Sequence, residues 1–298
     1  MVGRNIAEAL LPRDHVEVIG PTRAELDLEA RGAVREYLAA AKPDVVIHAA
    51  GKVGGIRANM AEPTDFLAVN LRIGTNVIDE ARQVGVGRLI NIASSCMYPR
   101  QASNPLREDS ILTGELEPTN EGYALAKIAS TRLCEYISRE HEGLHYKTLI
   151  PCNLYGRYDH FDSEKGHMIA AVMRRMHAAA ASGAKTMTIW GDGTARREFM
   201  YVGDLADFVA QHIERIDELT DVMNVGLGQD YSVREYYDAI RRVTGYEGEF
   251  EHDLSKPVGM KQKLVDVSRQ RALGWMPSTS LEDGLRKTYD YFLTGEQK

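Results

Sequence analysis

Short β-rich runs alternate with helical patterns through the first 150 residues, and this alternation restricts the fold more than any other feature. Strands are predicted over 16–19, 45–48, 89–92 and 146–150, and helices over 30–41, 70–84 and 121–141. Strand, helix, strand repeated in this way predicts a parallel sheet covered by helices on both faces, the doubly wound α/β architecture. Such a sheet collects its ligands at the carboxyl ends of its strands. The residues that follow each apolar run are therefore where chemistry is expected.

Beyond Pro151 the rhythm loosens. Helices are predicted over 168–181, 204–216, 233–244 and 281–293, and strands over 187–190 and 249–251, with an isolated strand-like stretch at 263–266. The expected division is a dinucleotide-binding domain over 1–151 and a smaller α/β substrate lobe over 152–298, with later segments returning to the first sheet. A dinucleotide-binding sheet opens with a strand, a Gly-rich turn and a helix whose N-terminus faces a pyrophosphate. Here Met1-Val2-Gly3 leads directly into a helical pattern of Ile6, Ala7, Ala9 and Leu10. Gly3 looks like the last glycine of such a turn, so the first strand and first two glycines are expected upstream of Met1.

A chain of 298 residues with 44% hydrophobic residues has enough apolar material for one large or two fused domains. Its net charge of −7 argues against a nucleic-acid or anionic-membrane binder, either of which needs a basic surface. Cys96, Cys134 and Cys152 are too scattered for a disulfide framework or a close-spaced metal site, so no metal is expected. No apolar run approaches membrane-spanning length, and the N-terminus lacks a signal-peptide pattern. A soluble, cytoplasmic protein is the expectation.

Tyr123 and Lys127 stand at i and i+4, on one face of a helix. An ammonium placed there is expected to lower the phenol's pKa, making Tyr123 a proton donor to a carbonyl oxygen while hydride arrives at carbon. The spacing alone is common in surface helices. Its context is Ala93-Ser94-Ser95-Cys96-Met97-Tyr98-Pro99, at the end of the apolar run 89–92. A serine at a strand end can polarise a substrate carbonyl, and its plain alternative is a turn or cap residue. Cys134 and Cys152 read as small buried hydrophobes, and His15, His141 and His145 as surface residues.

Further segments follow in order: Ala49-Ala50-Gly51-Lys52-Val53-Gly54-Gly55-Ile56, Leu116-Glu117-Pro118-Thr119-Asn120-Glu121, Asn153-Leu154-Tyr155-Gly156, Trp190-Gly191-Asp192-Gly193-Thr194 and Arg197-Glu198-Phe199. Taken together with the serine and Tyr-Lys segments, the chain resembles the extended short-chain dehydrogenases, and within them the GDP-L-fucose synthase group, over nearly its whole length. The resemblance implies a Rossmann-type fold, NADP as cofactor and a GDP-linked keto-deoxy sugar as substrate. It implies that Ser94, Tyr123 and Lys127 form a reductase triad, and that Cys96 and His167 are the base and acid of epimerisation. A ketone at C4 acidifies the C3 and C5 hydrogens, so a thiolate can remove one and an imidazolium can return a proton from the opposite face.

By the same resemblance Gly3, Arg23, Ala49, Ala50, Ser94, Ser95, Tyr123, Lys127, Asn153 and His167 contact the cofactor. Ser95, Cys96, Asn153, Arg175, Trp190, Arg197 and Lys263 contact the substrate. Arg23 can pair with a 2′-phosphate, which favours NADP, although Glu25 nearby opposes it. Arg174-Arg175 also fits an exposed helix face. Members of the group are commonly homodimers through a four-helix bundle, to which the helices 70–84 and 121–141 would contribute. The product can be GDP-L-fucose, or the chain can be an epimerase-only or reductase-only relative acting on a GDP-deoxyheptose or a colitose precursor, because these motifs contact the shared diphosphate and ketone. An enzyme of the same superfamily that keeps its cofactor bound, and a non-catalytic nucleotide-sugar binder, are the competing readings.

Overall fold

The computed structural model describes residues 1–161, 166–256 and 259–295. Four parallel strands, Val45–His48, Arg88–Ile92, His145–Pro151 and Val222–Val225, form the main sheet in that spatial order. Alternate residues of a strand face opposite sides, so a sheet covered on both faces needs apolar side chains at consecutive positions. Leu89 packs with Val34, Leu38, Ile78 and Cys134, whereas its neighbour Ile90 packs with Ile6, Leu10 and Val209. Each such burial contributes about 1.5–3 kcal/mol.

One face is covered by the helices Arg31–Ala41, Pro63–Gln83 and Glu121–Glu140, and the other by Val2–Leu10 and Val202–His212. Glu80, fully buried on the Pro63–Gln83 helix, accepts from both Arg31 and Arg35 and so ties that helix to Arg31–Ala41. The Glu121–Glu140 helix starts hard against Pro63–Gln83. A Cβ at Gly122 would stand 2.8 Å from the Pro63 carbonyl oxygen, so only glycine permits this approach one residue before Tyr123.

The second half builds its own core. Thr186–Trp190 and Glu249–Asp253 pair in parallel, and the helices Met168–Ser182, Val233–Thr244 and Leu281–Leu293 bury Ile169, Met173, Ile189, Tyr236, Ile240 and Leu285 against one another. Local sequence fixes these helix ends. Ser232 and Glu235 form a reciprocal capping box at the start of Val233–Thr244, and Gly245 closes it in a left-handed conformation. Two further small ladders lie within the second half. Asn153–Tyr155 pairs with Phe199–Tyr201, and Arg196–Arg197 lies between Gln262–Lys263 and Tyr231–Ser232.

Three sequence expectations need correction. Residues 16–19 carry no strand pairing, because no described segment lies alongside to complete a ladder; Val16 and Val18 instead pack half-buried against the core around Ile6 and Leu10. The helix expected over 204–216 is the α-helix Val202–His212 continued by a 3-10 segment Ile213–Glu218, broken where Arg215 leaves helical geometry. Of 263–266, only Lys263 is in a strand, and Val265 forms an isolated bridge to Leu106.

Candidate active site

The strand Arg88–Ile92 ends in Ala93 and the turn Ser94-Ser95-Cys96, at the carboxyl edge of the main sheet. Ser94 has extended backbone geometry, and its Oγ accepts from the Cys96 backbone N–H at 3.4 Å. The serine thus caps the turn, as its plain reading required, while standing next to the thiol. Ser95 and Cys96 are both buried.

Lys127 reaches this turn from the Glu121–Glu140 helix. Its buried Nζ donates to the Ile92 carbonyl oxygen at 2.9 Å and stands 5.8 Å from the centroid of the Tyr123 ring. Phe66 meets the same tyrosine edge to face, with centroids 6.4 Å apart. A carbonyl partner leaves two ammonium protons for other acceptors.

The electrostatics are those of a dry pocket holding several titratable groups. Burial, then the charge of Cys96, pushes the Tyr123 phenol up, so the expectation that Lys127 depresses it is not met in this geometry. Lys127 is itself moved, down to about 8 by burial, against the attraction of Cys96. Burial raises the Cys96 thiol, and Lys263, Ser94 and Lys127 oppose that shift. Lys263 is lowered by burial and by Arg197, and raised by Cys96 and Cys152. His48, at the end of the neighbouring strand, is held neutral: burial and then Lys127 bring it down to about 3.

Cys96, Tyr123, Lys127 and Lys263 therefore come together within electrostatic reach. Arg197 joins them, lowered by burial with Glu117 opposing. Asn153 donates from Nδ2 to the Glu198 carbonyl at 2.9 Å, which fixes it to the segment that carries Arg197. Trp190 ends the Thr186–Trp190 strand, and the Arg57 guanidinium lies 4.8 Å from its ring centroid. Beside the Gln262–Lys263 and Arg196–Arg197 ladder, a cavity of about 410 Å³ is lined by Arg100, Arg196, Lys261 and their neighbours.

Other expected residues stand further out. His167 is the N-cap of Met168–Ser182, and its Nδ1 lies 3.5 Å from Asp159 Oδ1. Arg175 donates to the Tyr237 hydroxyl at 2.7 Å, so its guanidinium is tied to the lobe rather than lying on an open helix face, while Arg174 binds the Phe161 carbonyl. Gly3 lies in the first turn of Val2–Leu10, where an added Cβ would meet Ala49 Cβ at 3.8 Å. Ala49 is half-buried and Ala50 exposed. The Arg23 side chain is 90% exposed and stands 3.9 Å from the Glu29 carboxylate, and Glu25 accepts from the Thr22 N–H at 2.7 Å.

Four residues escaped the sequence reading. Glu198 lay inside a quoted motif and Arg57 just beyond one, neither with a spacing signal, and Asp159 and His48 become visible only when the fold brings His167 and Lys127 to them.

This arrangement, a serine turn and a Tyr-Lys helix at the carboxyl edge of a doubly wound sheet, is matched over residues 1–226 by the model of the NAD dependent epimerase/dehydratase family. The chain belongs to that family. It is 50% identical to GDP-L-colitose synthase of Yersinia pseudotuberculosis, over 98% of this chain and 95% of that one. It is 48% identical to GDP-L-fucose synthase of Azorhizobium caulinodans, over 100% of this chain and 95% of the relative. Among solved structures, a GDP-mannoheptose C4 reductase from Campylobacter jejuni with NADP bound superposes with a TM-score of 0.87 at 30% identity, covering 98% of this chain and 95% of that one. The Rossmann-type α/β fold is common to them.

Proposed function

We propose that this chain epimerises a GDP-4-keto-6-deoxy sugar at C3 and C5 and reduces it at C4 with NADPH, giving GDP-L-fucose or a related GDP-deoxy sugar. The observation that carries the reading is the placement of the Cys96 thiol within electrostatic reach of both Tyr123 and Lys127. A base for carbon and a proton donor for oxygen then serve one ketone.

The residues fit a nicotinamide dinucleotide. Val2–Leu10 starts with Gly3 in its first turn and no side-chain cap on its N–H groups, which suits a pyrophosphate at a helix N-terminus. Arg23 would take the 2′-phosphate, Ala49 and Ala50 the cofactor's flank, and Lys127 the nicotinamide ribose, with Ser94, Ser95, Asn153 and His167 around the reactive end. When bound, NADPH supplies the hydride for C4.

The protein's own part is proton transfer and binding. The Cys96 thiolate removes the proton from C3 or C5, leaving the enolate of the C4 ketone (an enediolate at C3), and the His167 imidazolium returns a proton to the opposite face. Ser94 polarises the C4 carbonyl, and Tyr123 delivers a proton to its oxygen as the carbon is reduced. Burial keeps Tyr123 protonated until that step. Arg175, Arg197 and Lys263 hold the diphosphate of the substrate and Trp190 lines its pocket, which lets a chain of net charge −7 bind an anion.

A homodimer through Pro63–Gln83 and Glu121–Glu140 is part of the proposal, supported by Leu125 and Tyr136, which stand exposed on the second of these helices. A cytoplasmic setting is supported by three free thiols. No described helix is long and apolar enough to cross a membrane.

The test is NADPH consumption with a panel of GDP-4-keto sugars, run alongside deuterium wash-in at C3 and C5. Consumption and exchange with a 4-keto-6-deoxy sugar support the reading; binding of GDP without binding of NADPH overturns it.

A further inference from the structure

The residue that closes the loop in front of His167 is itself arranged toward the imidazole. The chain leaves Asn153–Tyr155 through Gly156, at φ 147°, and Tyr158, at φ 66°, and these turns deliver Asp159 to the base of Met168–Ser182. Its side chain is only 2% exposed, next to a His167 side chain that is 42% exposed. Oδ1 accepts from the His160 N–H at 2.8 Å and faces His167 Nδ1 at 3.5 Å. Oδ2 is buried and has no hydrogen-bond partner among the described residues. A carboxylate sealed from water with one oxygen unengaged is costly unless a cation faces it.

We propose that Asp159 is a positioning residue for the epimerisation step: it fixes the His167 ring through Nδ1, balances the charge of the imidazolium, and leaves Nε2 as the nitrogen that returns the proton. This rests on the proposed role of His167 as the acid. Two features of the site work against an imidazolium, and Asp159 offsets both. His167 caps a helix N-terminus, whose dipole disfavours a cation. Burial lowers its pKa, yet the hydrogen bond and charge of Asp159 outweigh burial, and the imidazole is held above its ordinary value. In the proton-return step the Nε2–H bond breaks and a C–H bond forms; the enolate electron pair becomes that bond, and the neutral imidazole keeps its Nδ1–H on Asp159.

A purely structural role is separable from this one. Asp159→Asn keeps a carbonyl oxygen for the His160 N–H but removes the charge, so the turn survives while the partner of the imidazolium is lost. Two readouts apply to the full chain. The first is the His167 ring titration by NMR, assigned with His167→Gln. The midpoint is expected above about 6.5 in the wild type, below that in Asp159→Asn, and restored in Asp159→Glu. The second is deuterium wash-in from D₂O into a GDP-4-keto-6-deoxy sugar. Asp159→Asn is expected to slow exchange by about 10-fold to 100-fold and to move its alkaline limb to lower pH, with NADPH reduction of an already epimerised sugar unchanged. An unaltered His167 midpoint in Asp159→Asn, or exchange at the wild-type rate, overturns the role of Asp159 while leaving His167 as the acid. Full exchange in His167→Gln removes the assignment of the acid and this proposal together.

Discussion

Lys127 donates from its buried Nζ to the Ile92 carbonyl oxygen at 2.9 Å, so the cation of the proposed reductase triad is anchored to the strand that presents Ser94 and Cys96. The anchor fixes geometry at an electrostatic cost, since burial, against the attraction of Cys96, moves Lys127 down to about 8.

That cost makes a linkage prediction. A lysine whose pKa is lower folded than unfolded carries fewer protons in the native state between about pH 8 and about pH 10.5, so its contribution to stability rises with pH across that window. Relative to Lys127→Met, the wild type should gain up to about 1.4 kcal/mol per pH unit there, measured by urea unfolding at fixed salt. A stability difference that stays flat over this range would contradict the burial of Lys127.

Cys96→Ser should separate the two half-reactions. Deuterium exchange at C3 and C5 should fall by about 10²-fold or more, because a hydroxyl is a far weaker base, while the reduction of an already epimerised sugar persists. Exchange persisting undiminished at both carbons would remove Cys96 as the base.

Glu198 ties together three segments of the second half. Its Oε1 accepts from Gly228 N–H and its Oε2 from Val265 N–H, both at 2.8 Å, two residues from Lys263. Glu198→Ala would strand these buried donors and should cost about 2–4 kcal/mol. It should also raise KM for the nucleotide sugar more than it lowers kcat, since it loosens Lys263 and Arg197 rather than the reacting groups. Burial pushes the Glu198 carboxyl up to about 7 against the pull of these N–H groups, so the native state holds the extra proton above the ordinary carboxylate range. Stability should therefore fall between about pH 4.5 and 7, and Glu198→Gln should abolish that part of the profile.

Trp190 and Arg57 form a contact between the two halves that can be measured apart from catalysis. Arg57→Ala should cost about 0.5–1 kcal/mol of stability and leave kcat nearly unchanged, and Trp190→Ala should weaken GDP binding by calorimetry. Equal loss of kcat in both variants would place them in the chemical step instead.

The sheet strands 45–48, 89–92 and 146–150 and the long helices were legible because a surface buried on both sides demands continuous apolar runs, and a helix demands a 3.6-residue stripe. The helix Val233–Thr244 matches its expectation because Ser232, Glu235 and Gly245 mark its ends. Short ladders such as Asn153–Tyr155 and Phe199–Tyr201 were not legible, since three residues carry no periodicity and pair only when tertiary structure brings them together. The same limit applies at the site. Ser94, Cys96, Tyr123 and Lys127 are close in sequence and could be read as a group. Asp159 and Glu198 act through backbone and charge contacts that follow from loop geometry, and the direction of the Tyr123 shift depended on burial that spacing does not convey.

Epimerisation and reduction are read together when a GDP-4-keto-6-deoxy sugar is incubated with the chain and NADPH in D₂O, with product analysed by mass spectrometry and NADPH followed by absorbance. The account predicts one NADPH oxidised per product and solvent deuterium at both C3 and C5. A reduced product free of deuterium, or exchange with no NADPH consumed, would contradict it.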